Sequence, residues 1–352
     1  MVRICACYDL VDTPHVRTTS RHSATLHNNK LLTYSLVAAA EDMDLVLHYA
    51  DEFLLDGVWA RIAPAAKFPS LCAAAEARVL NGTAPSTLFP TTCAKPGEIV
   101  SALPRDNIIR QTLSLYVITY IGIVALYFAC AIGSYHFLFN KDLKRHPRFL
   151  KDQIRLEIES SLRAFPWLDL LTVPWFVLEV RGYSRMYENV SDYGWLYLFF
   201  TIPFFLVFTD SLIYWVHRLE HHPAIYKYIH KPHHKWIVPT PFASHAFHPL
   251  DGYAQSLPYH LFPVIFPMQK LLFLGMFGFV NLWSIMIHDS DMVCNTGWER
   301  IINGPAHHTL HHLYFTCNYG QYFTLCDRLF SSFREPAEKD DPLVEATRIK
   351  SD

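Results

Sequence analysis

The sequence predicts an all-α, polytopic membrane protein, with about four transmembrane helices beneath a cytosolic, histidine-rich helical cap. Three observations predict it. Hydrophobic residues make up 51% of the 352 residues, and they are bunched into long runs rather than spread, as membrane spans require. Basic residues gather directly after the first of these runs. Fourteen of the twenty histidines lie between residues 217 and 312, in repeated clusters.

Residues 1–105 are mixed and poorly periodic, and form an N-terminal region in which no chemistry is legible. The first fifteen residues lack a sustained apolar core, so no secretory signal is expected. A short helix is expected within residues 43–55. Residues 113–139 are a run of 27 without Asp, Glu, Lys or Arg, enough to span a bilayer with tilt. Lys141, Lys144, Arg145, Arg148, Lys151 and Arg155 follow it. Such flanks favour the cytosol, which puts the end of the first span there and residues 1–110 in the lumen.

Residues 164–180 are a weaker span. They hold Asp169 and Glu179, and Pro166 and Pro174 should kink them. Residues 195–216 are stronger, with Asp210 as their one charge. Residues 253–268 and 271–287 read as a hairpin of shorter apolar segments that dips in and returns. Alternation puts residues 181–193 in the lumen and every histidine cluster on the cytosolic face. Two glycosylation sequons, Asn81-Gly-Thr83 and Asn189-Val-Ser191, fall in the segments assigned to the lumen. The tail, residues 338–352, is charged, and the chain is expected to be mobile from Glu335. Arg348 and Lys350 faintly resemble a retrieval signal for the endoplasmic reticulum, although a solvated tail is the plainer reading.

The formal charge of −2 offers nothing to nucleic acid. The eight cysteines are scattered without a Cys-x-x-Cys pair, which speaks against a thiolate site or a disulfide scaffold. The histidines are different. His217 and His221 are four apart, and His230, His233, His234 and His308, His311, His312 repeat the spacing i, i+3, i+4. On a helix such residues share a face, so each cluster can aim two or three imidazoles at one point. Neutral imidazole is the commonest metal ligand among side chains.

Eight imidazoles exceed what one ion takes, so two metal ions are expected. His288, where the last apolar segment meets the cytosol, and His248, in a Pro-rich polar turn, are candidates to complete the set. His222 and His307 adjoin cluster members and should point off the shared face. A donor set of this size without carboxylates or thiolates suits a pair of redox metals better than zinc, with iron favoured. Such a pair needs a separate electron donor. Asp210 lies two turns before His217 and is expected to bond a ligand imidazole from behind or to pair with another polar group in the membrane. Asp251, Asp289, Asp291 and Asp327 are further candidates for that role.

The three boxes on a four-span chain resemble the fatty acid hydroxylase superfamily. Within it, residues 226–236, 239–249, 302–304, 307–312 and 318–325 closely resemble the sterol 5-desaturases, or lathosterol oxidases. The likeness covers roughly residues 105–337. It implies that 106–337 is a di-iron oxygenase domain in the membrane of the endoplasmic reticulum. It also implies dioxygen as co-substrate, and electrons from NAD(P)H through cytochrome b5 or its reductase. The substrate would be a 7-unsaturated sterol taken from the bilayer lipid, desaturated between carbons 5 and 6. Carried over by position, His217, His221, His230, His233, His234, His308, His311 and His312, with His288, would hold the iron, and Thr309 would lie beside it. The sequence departs from the family at Cys326, where Trp is usual, and at Ser331-Ser332, where glycine is common. Two rival readings are a sterol or fatty-acyl hydroxylase of the same superfamily and a non-enzymatic membrane metal carrier. For the carrier, Asp169, Glu179 and Asp210 draw too thin a polar path through the spans.

Overall fold

The computed structural model describes residues 45–67 and 100–348; the Asn81 sequon and Lys350 lie outside them. α1 (Leu45–Ala50) runs through a π-helical turn, Asp51–Leu55, into α2 (Asp56–Ile62). Arg110 ties this start to the first long helix, donating to Asp51 at 2.6 Å. That helix, α3 (Ile108–Phe137), begins where the Asn107 side chain accepts from the amides of Ile109 and Arg110. Its 30 residues make it about 45 Å long.

α4 (Gln153–Val180) packs along α3. Then come the two-residue strand β1 (Met186–Tyr187), α5 (Gly194–Glu220) and the single turn α6 (Pro223–Tyr226). α7 (Pro249–Ile265) leads through β2 (Met268–Gln269) into α8 (Lys270–Ile287). The chain closes with α9 (Pro305–Tyr314), α10 (Leu325–Leu329) and α11 (Pro342–Arg348).

Among the described residues three helices, α3, α5 and α8, are long and apolar enough to cross a membrane by length and composition. The fold is therefore mostly helical and suited to a polytopic membrane protein, with three such helices where about four were expected. The expected fourth, residues 164–180, is the second half of α4. Asp169, Glu179 and the polar first turns of α4 keep it out of that class. One oxygen of Asp169 is nonetheless met, because Thr119 of α3 donates to it at 2.6 Å; the other has no hydrogen-bond partner among the described residues. Both prolines lie inside α4 without ending it.

β1 and β2 pair in parallel, Met186 with Met268 and Tyr187 with Gln269. This joins the α4–α5 loop to the α7–α8 turn. Arg181 donates to Gln111 at 3.0 Å, which brings the end of α4 to the start of α3. Five helix ends thus meet on one side, and the histidines gather at the other. The 253–268/271–287 hairpin is formed by α7 and α8: they have 17 and 18 residues, about 25–27 Å each, and their turn reaches the β1 end.

The Pro-rich stretch 238–246 lies in the interior. Val238, Thr240, Ala243 and Ala246 are fully buried, and the stretch is wedged against α3, α4 and α8. Its backbone polar groups are met there, since Tyr127 donates to the Phe242 carbonyl at 2.8 Å and the Thr240 amide to Glu157 at 3.3 Å. The tail is docked rather than loose as far as Arg348. Leu343 of α11 packs on Phe139, Leu143 and Val238, and His146 meets Glu345 at 3.0 Å.

Candidate metal centre

Four segments bring nine imidazoles together. The end of α5 carries His217 and His221. Residues 230–234 form one irregular turn leading into a 3-10 helix from His233 to Lys235, not the α-helix that their spacing suggests. His288 caps the end of α8. His308, His311 and His312 lie on α9 at true helical spacing.

The nine divide into two groups that cut across the sequence clusters. His217, His221, His230, His234 and His311 form one, and His233, His288, His308 and His312 the other. Adjacent residues His233 and His234 serve different groups, as do His311 and His312. The groups abut, with the His234 and His312 rings 4.9 Å apart.

Within the first group Nε2 of His217 lies 3.1 Å from Nε2 of His230, and Nε2 of His234 lies 3.1 Å from those of His221 and His230. His311 Nε2 is 3.0 Å from His234 Nε2. In the second group His308 Nε2 stands 2.9 Å from His288 Nε2 and 3.1 Å from His312 Nε2. Two nitrogens at right angles around an ion about 2.1 Å from each would be about 3.0 Å apart.

Proton bookkeeping turns this geometry into a test. A neutral imidazole has one N–H. His217 spends it on the Tyr319 carbonyl (3.0 Å), His230 on the Asp251 carboxylate (2.8 Å), His311 on the Cys317 carbonyl (2.7 Å) and His288 on the Ser284 carbonyl (2.5 Å). Their Nε2 atoms are then bare lone pairs. His217 and His230 face each other at 3.1 Å with no proton between them, an arrangement that a shared cation makes favourable. Charging the rings is no remedy. Burial and then neighbouring imidazoles push His233, His234, His308, His311 and His312 well below the ordinary histidine range. These are neutral, ligand-ready rings, and the donor set fits two divalent cations of the kind imidazole binds.

The fatty acid hydroxylase family model matches residues 202–332, which hold all nine imidazoles. A Delta(7)-sterol 5(6)-desaturase of Gibberella zeae is 55% identical over 249 residues, 71% of this chain and 77% of the relative. The chain belongs to the sterol 5(6)-desaturase family. A Delta(7)-sterol 5(6)-desaturase of Aspergillus fumigatus is 45% identical over 327 residues, covering 87% of this chain and 94% of its own length. Lathosterol oxidase of Rattus norvegicus is 52% identical over 236 residues, 66% of this chain and 79% of the relative. No solved structure matches the chain.

In this desaturase-family chain, two residues singled out by sequence, Asp210 and His248, stand elsewhere than expected. Asp210 touches no imidazole. Its Oδ1 accepts from the amides of Gln321 and Tyr322 at 2.8 and 2.7 Å, so it positions a loop. His248 belongs to neither group. Its Nδ1 accepts from the Leu250 amide at 3.3 Å and caps α7. Thr309 is fully buried on the ligand helix α9, and its hydroxyl has no hydrogen-bond partner among the described residues. His222 caps α6, and the His307 ring lies against Phe333.

The residues behind the ligands were mostly invisible in sequence. Gln255 donates to Asp251 at 2.7 Å and to Glu220 at 3.0 Å, steadying the carboxylate that orients His230. The carbonyls of Cys317 and Tyr319 belong to a tight loop pinned by two buried acids. Asp210 holds its end, and Asp327 accepts from Tyr319 and Gly320 at 2.9 and 2.8 Å. A Cβ at Gly320 would come within 2.4 Å of the Phe323 carbonyl, so this loop needs glycine there. Carbonyl acceptors leave no trace in a sequence; Asp251 and Asp327 did, as acids near the boxes.

Proposed function

We propose that this chain is a membrane di-iron oxidase that introduces a double bond between carbons 5 and 6 of a 7-unsaturated sterol. Dioxygen is the co-substrate, and electrons come from NAD(P)H through cytochrome b5. The observation that carries the reading is the pair of imidazole groups with opposed, proton-free Nε2 lone pairs. It falls inside the segment shared with relatives whose names state this reaction.

Iron is favoured because five and four histidine donors, with no thiolate among them, leave coordination positions open and suit a redox metal. Two bound iron ions would supply dioxygen activation: with two electrons from the donor chain, two protons from water and two hydrogens from the sterol, dioxygen would leave as two waters. The protein's own part is placement. Asp251, Tyr319 and Cys317 fix ring orientation from behind. Thr309 offers a buried hydroxyl beside the ligands. The apolar faces of α5, α7 and α8 form one core and offer the sterol a route from the lipid.

Residues 106–337 make up this oxygenase domain, with α4 as the fourth crossing. Six basic residues between Lys141 and Arg155 favour a cytosolic location for the histidine end and suit the membrane of the endoplasmic reticulum. The test is expression in cells lacking a sterol 5-desaturase, with sterols read by mass spectrometry. Loss of two hydrogens supports desaturation. Gain of one oxygen would make the chain a hydroxylase, and no sterol product from metal-loaded protein would refute the proposal. His233→Ala is the inactive control.

A further inference from the structure

Two tyrosines meet inside the apolar core, away from the imidazoles. Tyr259 of α7 and Tyr322 of the 318–323 loop place their hydroxyl oxygens 2.8 Å apart. Both are buried among apolar side chains, including Phe205, Ile213, Met276 and Val280. Phe205 stacks on Tyr259 and Phe279 on Tyr322. Two hydroxyls carry two protons, and the contact between them uses one. The second O–H has no acceptor among the described residues. A donor left idle in such surroundings costs free energy, and a ligand oxygen would relieve it.

The depth of the pair defines that ligand. The Tyr322 amide is held by Asp210 at 2.7 Å, and Asp210 precedes His217 by seven residues on α5, about 10 Å along the axis. Tyr259 follows Asp251, the partner of His230, by eight residues on α7, about 12 Å. Two independent helices thus set the backbone at the pair roughly 10–12 Å below the ligand level. In a sterol, carbon 6 is four bonds from the 3-hydroxyl oxygen, roughly 5 Å at ordinary bond lengths. Adding a hydrogen bond of about 2.8 Å leaves carbons 5 and 6 within the last few ångströms of the imidazoles, the range that reacting atoms need.

We infer that the Tyr259–Tyr322 hydroxyl pair is the anchor for the 3-hydroxyl of the sterol, and so sets which carbons reach the metal centre. This rests on the proposed sterol desaturation. It makes the chain selective for a free hydroxyl, because a site built to bond one discriminates strongly against an analogue without it.

The test is equilibrium binding to the full-length protein in lipid nanodiscs, comparing a 7-unsaturated 3-hydroxysterol with its 3-deoxy analogue. The wild type should prefer the hydroxysterol by about tenfold or more, the scale of a buried hydrogen bond. The double variant Tyr259→Phe/Tyr322→Phe should lose that preference while binding the deoxy analogue as before. If the double variant binds neither lipid, the single variants decide, and at least one must lose most of the preference. An unselective wild type overturns the inference, as does selectivity kept in all the Phe variants. The two readings fail separately. A wild type that makes no desaturated sterol, but whose selectivity vanishes with the tyrosines, keeps the anchor and loses the reaction. A desaturating enzyme with unchanged selectivity in the variants keeps the reaction and loses the anchor.

Discussion

The Nε2 atoms of His217 and His230 face each other at 3.1 Å while both rings spend their only proton on the opposite side, on Tyr319 and Asp251. This relationship makes the histidine cluster a metal site rather than a hydrogen-bonded core. It also binds residues from different helices into one group.

The division into a group of five and a group of four has a stoichiometric consequence. Purified wild-type protein should carry about two metal ions per chain. His217→Phe should weaken only the first group, and His308→Phe only the second. Elemental analysis after dialysis should therefore give about one ion in each variant. Full retention in both variants, or total loss in both, contradicts the partition.

Asp251 acts at one remove. It accepts the His230 Nδ1 proton at 2.8 Å and is itself steadied by Gln255. Asp251→Asn keeps the shape but replaces a charged acceptor by a neutral amide. Metal affinity at the group of five should fall about 10–100-fold, as is usual when such a partner is lost. Gln255→Leu should do less, since it leaves the carboxylate in place. Competition with a graded chelator measures both, and an Asp251→Asn variant with wild-type affinity would remove the aspartate from the site.

Acid should destabilise the metal-free protein. His233, His234, His308, His311 and His312 are held well below the ordinary value of 6.5 by burial and by each other. The unfolded chain regains that ordinary value, so below about pH 6.5 it binds protons that the folded state refuses. Stability is complete above that pH and is lost as the pH falls. The melting temperature of chelator-treated protein should drop steeply between about pH 6.5 and 5, and metal should dissociate over the same window as protons compete for nitrogen. A flat melting curve across that range would show that the rings are not neutral and buried together.

How much of this could be read from sequence follows from what sequence encodes. Spacing showed that His308, His311 and His312 share a face, because a helix repeats every 3.6 residues. It could not show that His233 and His234 fall in different groups, since that depends on how one irregular turn is oriented. Asp210 looked like an imidazole partner because two helical turns separate it from His217; the 319–323 loop, distant in sequence, captures it instead. The burial of the stretch 238–246 was not legible, because its Pro, Thr, Ser and His residues form no local pattern that marks a core segment. Its burial depends on acceptors and donors from α3 and α4 that no local pattern reveals. The Asp169 partner, Thr119, is likewise on another helix.

Ser331 and Ser332 should respond oppositely to the same substitution. Ser331 is exposed and sits at φ 59°, a left-handed conformation that costs an L-residue about 1–2 kcal/mol and glycine nothing. Ser331→Gly should therefore stabilise the protein by about 0.5–1 kcal/mol once the extra freedom of the unfolded chain is counted. Ser332 is buried, with its hydroxyl donating to Asp327 at 2.8 Å and lying 2.8 Å from the Tyr214 hydroxyl. Ser332→Gly removes a bond to an acid that pins the 319–320 amides, so it should cost about 1.5–3 kcal/mol. Thermal melts of the two variants, at matched metal loading, should move in opposite directions. If both fall together, the left-handed backbone at residue 331 does not carry the cost assigned to it.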